Sequence, residues 1–222
     1  MYKLRLTYTK TKNSTFLSLE EELKVLERAL NRVDIKLYYN KEQECTIISA
    51  APLIYGIEST GEMCDVYIEE PVDTRYIIRS LNNILPIGIT IMAAECLEES
   101  VPDICEIVEG SIYEITPEFE IVDNMTKKQY DDLVLWYKNS LLEYLSAPMI
   151  LVLIKLPTRN ERIDIKQNIL DYDILINSTL RITVKEDKIG LFNPKYIMDG
   201  FEEQTDKNIK YKIKRTKIIY KK

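Results

Sequence analysis

Met63-Cys64-Asp65-Val66-Tyr67-Ile68-Glu69-Glu70-Pro71-Val72-Asp73-Thr74-Arg75-Tyr76-Ile77-Ile78-Arg79-Ser80-Leu81-Asn82-Asn83-Ile84-Leu85-Pro86-Ile87-Gly88-Ile89-Thr90-Ile91-Met92-Ala93-Ala94 is a strand, a helix and a strand separated by clear punctuation. Met63 to Glu69 alternates: Met63, Asp65, Tyr67 and Glu69 oppose Cys64, Val66, Ile68 and Glu70, the period of an extended segment. Pro71 has no N–H to continue a ladder and stops it. Asp73 or Thr74 caps a helix whose apolar stripe is Ile77, Ile78, Leu81 and Leu85. Pro86 and Gly88 close that helix, and Ile87 to Ala94 reads as the next strand.

The residues upstream supply the matching half. Residues 2–9 read as a strand, and Thr11 to Thr15 as a polar loop. Ser18 followed by Glu20, Glu21 and Glu22 is a helix start, with a cap and acids near the positive end of the helix dipole. Leu19, Leu23, Leu26 and Leu30 then mark one face of a helix running to Val33. Lys36 to Tyr39 and Cys45 to Ala51 are short strand candidates. The order β-α-β-β-α-β is satisfied economically by two helices on one face of an antiparallel sheet, the ferredoxin-like sandwich.

Downstream, the acidic stretch 96–110 around Pro102 reads as a connection, with room for a short helix. A second, smaller α/β-sandwich domain follows over 111–222. Ser111 to Ile115 and Phe119 to Val122 look extended. Thr126 caps a long helix from Lys127 to Leu145, and Met149 to Leu156 is a strand. Arg162 to Ile165, Asp173 to Ile176 and Leu180 to Lys185 are further extended pieces. Asn193-Pro194 opens a brief helix, and Ile209 to Tyr220 closes as a strand. The class is therefore α+β, with a ferredoxin-like domain at 1–95.

Composition narrows the chemistry. With 222 residues, 45% hydrophobic and 30% charged, the chain can bury its own core. No run approaches the ~20 apolar residues of a transmembrane helix. The N-terminus alternates like a strand, unlike a signal peptide, which places the protein in the cytoplasm with no membrane partner. There is no histidine, which removes the commonest general base and metal ligand. Cys45, Cys64, Cys96 and Cys105 form no C-x-x-C, so no metal site is expected, and they read as small hydrophobes more than as a Cys96–Cys105 bridge. Phosphate-binding loops, dinucleotide fingerprints, nucleophile elbows and C-x-x-x-C-x-x-C are all missing, so no cofactor is expected.

Two surfaces remain as candidates. Gly56-Ile57-Glu58-Ser59-Thr60-Gly61-Glu62, leading into Asp65, is a glycine-bracketed excursion. Its carboxylates Glu58, Glu62 and Asp65 could hold a cation or serve as a base, although acid-rich turns are more often only solvated. The net charge is −6, yet Lys207, Lys210, Lys212, Lys214, Arg215, Lys217, Lys221 and Lys222 crowd a final stretch that contains no acid. Lys210, Lys212, Lys214, Arg215 and Lys217, interleaved with Tyr211, could track an RNA backbone. The plainer reading is an edge strand whose lysines discourage unwanted pairing.

Phe16-Leu17-Ser18 followed by Leu26-Glu27-Arg28-Ala29-Leu30, then Ala51-Pro52-Leu53 and the Gly56–Glu62 segment, resemble the radical-SAM-linked family of unknown function. That family carries F-L-S-H-L-D, a helix with A-L-E-R-A-L, and A-P-P-L-P-x-G-V-E-S-x-G-E. Arg215-Thr216 matches an R-T pair near the family's end. The family's histidine falls at Leu19 and its aspartate at Glu21. Its G-F-N-P-H-P loop corresponds to the shorter Asn40 through Cys45. Members are fused to, or encoded beside, cobalamin-binding radical-SAM proteins. The resemblance therefore implies an accessory, non-catalytic protein docking on a radical-SAM partner through its first domain. RNA binding through the basic strand and carboxylate catalysis rank behind it.

Overall fold

Tyr2–Lys10 forms β1, in which Leu4, Leu6, Tyr8 and Lys10 point to one face and Lys3, Arg5, Thr7 and Thr9 to the other. The structure, a computed structural model, describes residues 1–41, 45–121, 125–155, 160–185 and 192–221. The expected ends at Val122 and Leu156, the Glu42–Glu44 part of the loop and Lys222 lie outside the described residues. β1 is flanked on both sides. It pairs antiparallel with β3 (Glu58–Ile68), Leu6 opposite Cys64, and with β4 (Ile89–Glu98), Leu6 opposite Ala94. β2 (Ile47–Ser49) pairs antiparallel with β3 across Cys64–Val66.

α1 (Leu19–Arg32) and α2 (Thr74–Asn82) connect these strands and pack on the face shown by Leu4 and Leu6. Leu26 and Leu30 of α1, Ile77 and Leu81 of α2, and Val66 and Ile68 of β3 complete that core. Burying one such side chain fully stabilises by roughly 1.5–3 kcal/mol. Ser18 caps α1 in a reciprocal box with Glu21, and Asp73 caps α2 through the backbone N–H groups of Arg75 and Tyr76. The pairing order β4-β1-β3-β2 is the split βαββαβ arrangement expected from the sequence.

One local expectation needs correction. Glu58 to Glu62 is not a turn: β3 begins at Glu58 and runs through Gly61. Its parallel neighbour is β10 (Lys210–Tyr220), which places Lys214 opposite Glu58 and Arg215 opposite Ser59. A Cβ on Gly61 would stand 2.7 Å from the Thr216 carbonyl oxygen and 3.0 Å from the Lys217 Cα, so glycine is what lets the two backbones approach.

The other face of this sheet is covered by α3 (Ile104–Ile107), in the stretch read as a connection. Arg5 donates to both carboxylate oxygens of Asp65 at 2.7 and 2.8 Å and to the Pro102 carbonyl at 3.0 Å. The Ile104 N–H donates to the same Asp65 at 2.8 Å. Lys3 pairs with Asp103 at 2.6 Å, and the Tyr67 hydroxyl donates to Asp103 at 2.7 Å. Burial works against the Asp103 charge, but the hydrogen bonds from Lys3 and Tyr67 prevail and hold its carboxyl below the usual aspartate range. Ile104 itself is buried with Ala50, Met63 and Ile218.

The chain divides into two units, Met1–Ser111 with Lys214–Lys222, and Ile112–Ile213. The final residues, assigned by sequence to the second domain, thus belong with the first. β5 (Val108–Glu118) leads from the first unit into the second. There follow α4 (Lys127–Ser146), the separate hairpin β6 (Leu151–Lys155) and β7 (Asn160–Asp164), then β8 (Ile169–Ile174), β9 (Leu180–Lys185) and α5 (Lys195–Thr205). β8 and β9 pair antiparallel. Tyr137, Leu141 and Leu145 of α4, Ile182 of β9, and Ile197 and Phe201 of α5 form the core of this unit. Among the described residues no helix is long and apolar enough to cross a membrane.

Candidate functional site

Three loops meet at one end of the first unit. The segment after β1 donates the Thr11 N–H to the Gly88 carbonyl at 2.9 Å, and Ser14 Oγ donates to the Ile87 carbonyl at 3.0 Å. The Gly56 N–H donates to the Thr15 carbonyl at 3.0 Å, and the Lys12 N–H reaches Glu58 Oε1 at 3.3 Å. These bonds place Phe16 and Tyr55 together, ring centroids 5.5 Å apart. Phe16 is 58% exposed, Tyr55 66% and Ile87 78%, so the joined loops present large apolar side chains to solvent.

Beneath the loops lies a buried polar cluster on the helix-facing side of the sheet. Glu22 of α1 accepts from the Tyr8 hydroxyl and from Lys10 Nζ, each at 2.5 Å, and Lys10 also donates to the Leu17 carbonyl at 2.9 Å. Arg215 donates to both oxygens of Glu62, at 2.9 and 2.5 Å, to the Ala51 carbonyl at 2.9 Å and to the Pro52 carbonyl at 3.4 Å. All five side chains are buried. Burial pushes the Tyr8 hydroxyl well above its ordinary value, and the neighbouring acids add to the effect, so Tyr8 stays a neutral donor. Each ion pair is tied to a loop carbonyl, and that fixes the loops above it.

The expected site residues divide between several places. Glu62 and Asp65 are held by different guanidinium groups, Arg215 and Arg5, and Glu58 is exposed beside Lys12. The three carboxylates therefore do not converge. On β10, Lys210 pairs with Glu120 at 2.6 Å and Lys212 with Glu118 at 2.5 Å. Arg215 is fully buried, Lys214 is half-buried and Lys217 is exposed. The run of positive charge is thus largely neutralised or turned inward. The four thiols are free, with Cys64 buried in the core and Cys105 exposed.

What the structure does bring together is the set of matched segments: Phe16-Leu17-Ser18, Ala51-Pro52-Leu53, Gly56 to Glu62, and Arg215-Thr216. The model of an uncharacterized protein family conserved in bacteria, DUF2344, matches residues 3–194. The chain belongs to that family. No curated protein matches the chain. Among solved structures, the crystal structure of an unknown protein from Galdieria sulphuraria is similar over 96% of this chain and 97% of its own, at 12% identity and a TM-score of 0.30.

In this DUF2344 protein the positions that replace the resembling family's histidine and aspartate have structural uses. Glu21 closes the capping box with Ser18, and Leu19 is partly exposed at the first turn of α1. Sequence reading missed Tyr8, Lys10 and Glu22 as a cluster. A partial signal lay in β1: Lys10, one residue beyond the strand read over 2–9, shares parity with Leu4, Leu6 and Tyr8, and a lysine entering that face calls for a buried acid.

Proposed function

We propose that this DUF2344 protein is a non-catalytic docking module, with the loop end of its first unit as the contact surface and a radical-SAM protein as the partner. The observation that carries the reading is the rigid display of Phe16, Tyr55 and Ile87 on loops pinned by two buried ion pairs. Exposed aromatic side chains on a preorganised base are the composition of interface centres, because little side-chain entropy is lost when they are covered. The two buried carboxylates beneath this end are occupied, Glu62 by Arg215 and Glu22 by Lys10 and Tyr8, while Glu58 is exposed and among the described residues accepts only from the Lys12 N–H at 3.3 Å. A buried carboxylate already neutralised by a cation is a weak base and is shut off from a substrate in solvent, which supports docking over catalysis at these two groups. The radical-SAM identity of the partner rests on the resemblance in the matched segments.

Co-expression of the tagged full chain with a cobalamin-binding radical-SAM protein tests the proposal. The two should co-purify, and Phe16→Ser combined with Tyr55→Ser should reduce retention at least about tenfold, the loss typical of interface anchors. The double variant should keep its circular dichroism and melting temperature, since both rings are mostly in solvent. Absence of co-purification by the unmodified chain would overturn the reading. Undiminished retention of the folded double variant would remove this surface from it.

A further inference from the structure

The second unit holds a cleft of about 450 Å³ that the docking reading does not use. Its volume lies within the roughly 300–1,000 Å³ of small-ligand sites. Phe119, Leu133, Trp136 and Ile209 supply apolar walls, and Lys207 and Asn208 a polar rim. Both aromatic rings are anchored from behind. Phe119 meets Tyr137 edge-on at 5.4 Å, and Trp136 leans on Phe201 at 6.3 Å. Each remains half-buried, with area left for the cleft.

The charges at the cleft are not equivalent. Glu118 and Glu120 also line it, but Lys212 and Lys210 engage them at 2.5 and 2.6 Å. The Lys207 ammonium instead sits 4.0 Å from the centroid of the Trp136 ring, and among the described residues it has no carboxylate partner. The cleft therefore combines a flat, fixed aromatic wall with one cation held only by that wall.

We propose that this cleft binds a flat aromatic group carrying an anion, the chemistry of a nucleoside monophosphate, either free or at the end of an RNA strand. The base would lie on the Trp136 face that Lys207 now covers. The displaced ammonium, on its flexible four-carbon stem, would turn to the phosphate. The exchange is favourable in kind: a base stacked on an aromatic ring is worth more than an exposed cation–π contact, and the ammonium gains a full negative charge in place of a ring quadrupole. The Asn208 amide offers one donor and one acceptor to the base edge. An organic cation would have to displace Lys207 against like charge, so the site selects anions. This inference is independent of the docking reading, which concerns the other unit.

Trp136 is the only tryptophan in the chain, so its emission reports the cleft directly. Titrating the full chain with adenosine 5′-monophosphate should quench it saturably. Lys207→Met, which keeps the stem and removes the charge, should weaken binding at least about tenfold, the loss expected when a charge-assisted contact is removed. The variant's melting temperature should stay unchanged. A short RNA with a 5′-phosphate that binds more tightly than the mononucleotide would identify a strand end as the source, and weaker binding would identify the free nucleotide. No saturable change up to about 10 mM mononucleotide, a level at which only adventitious affinity remains, would overturn the proposal. So would equal affinity for adenosine, equal affinity of the Lys207→Met variant, or tighter quenching by tetramethylammonium.

Discussion

Arg215 closes a two-pronged ion pair on Glu62, 153 positions earlier in the chain, with both side chains withdrawn from water. It ties the last strand to the middle of β3 and fixes the Ala51 and Pro52 carbonyls of the loop above. Two buried charges cost several kcal/mol each to desolvate, and only their mutual pairing with added hydrogen bonds offsets this. Removing one partner strands the other. Arg215→Met or Glu62→Leu alone should each destabilise by about 3–5 kcal/mol, whereas the double replacement should lose much less than the sum. Urea unfolding of the two single variants and the double variant measures the coupling. Strict additivity would mean that the two groups stabilise the fold separately.

The βαββαβ order was legible because each of its elements carries its own local signal: Ser18 and Asp73 as caps, Pro71 and Pro86 as stops, and alternation in residues 2–9 and 63–69. The pairing of β10 with β3 was not legible, because nothing in Lys214 to Lys217 specifies a partner so far away in sequence. Gly61 was misread for the same reason. A glycine that opens a turn and a glycine that admits a neighbouring backbone look alike until the neighbour is known. The lysine-rich end was read as a solvated edge, but the acids that neutralise it, Glu118 and Glu120, lie on β5 and are remote in sequence. At the loop end, the segments that carry the family resemblance are neighbours in space, while the buried charges beneath them emerge only when parity in β1 is combined with the position of α1.

Gly61 and Gly56 make a paired test of that distinction. Gly56 has φ +82° and open space where a Cβ would go, so Gly56→Ala should cost only the left-handed backbone penalty, about 1–2 kcal/mol. Gly61→Ala drives a methyl group into the backbone of Thr216 and Lys217, which cannot rotate aside as a side chain can. A loss on the order of 1–3 kcal/mol is expected there, together with faster amide exchange along Arg215 to Ile218. Unchanged exchange in a destabilised Gly61→Ala protein would place the strain elsewhere.

Asp199 on α5 sets a pH dependence of opposite sign to Asp103. Burial raises its carboxyl above the ordinary aspartate value, outweighing the attraction of Lys195 and the hydrogen bond from Tyr211. The folded state therefore holds this proton to higher pH than the unfolded chain does. Stability from this group is greatest at low pH and falls as pH rises from the ordinary value of about 3.9 through the raised one. Asp199→Asn keeps an acceptor for the Tyr211 hydroxyl and removes the half-buried charge. It should melt higher than the unmodified protein at pH 7, with the difference closing as both carboxyl states become protonated below about pH 4. Asp103, whose carboxyl is held low, should act in the other direction. Its Asn variant should melt lower at pH 7 and approach the parent in acid.

Tyr137 offers a test in the core of the second unit. Its side chain is fully buried and packs edge-on against Phe201 at 5.7 Å and Phe119 at 5.4 Å, but among the described residues no group bonds its hydroxyl. Burial also pushes that hydroxyl well above its ordinary ionisation range, so it stays neutral. A buried polar group without a partner costs roughly 1–3 kcal/mol relative to an apolar one of the same shape. Tyr137→Phe keeps the ring contacts and deletes only the oxygen, so it should raise stability by up to about 2 kcal/mol in denaturant melts. A loss of more than about 1 kcal/mol, the usual worth of a hydrogen bond, would show that the hydroxyl is satisfied after all.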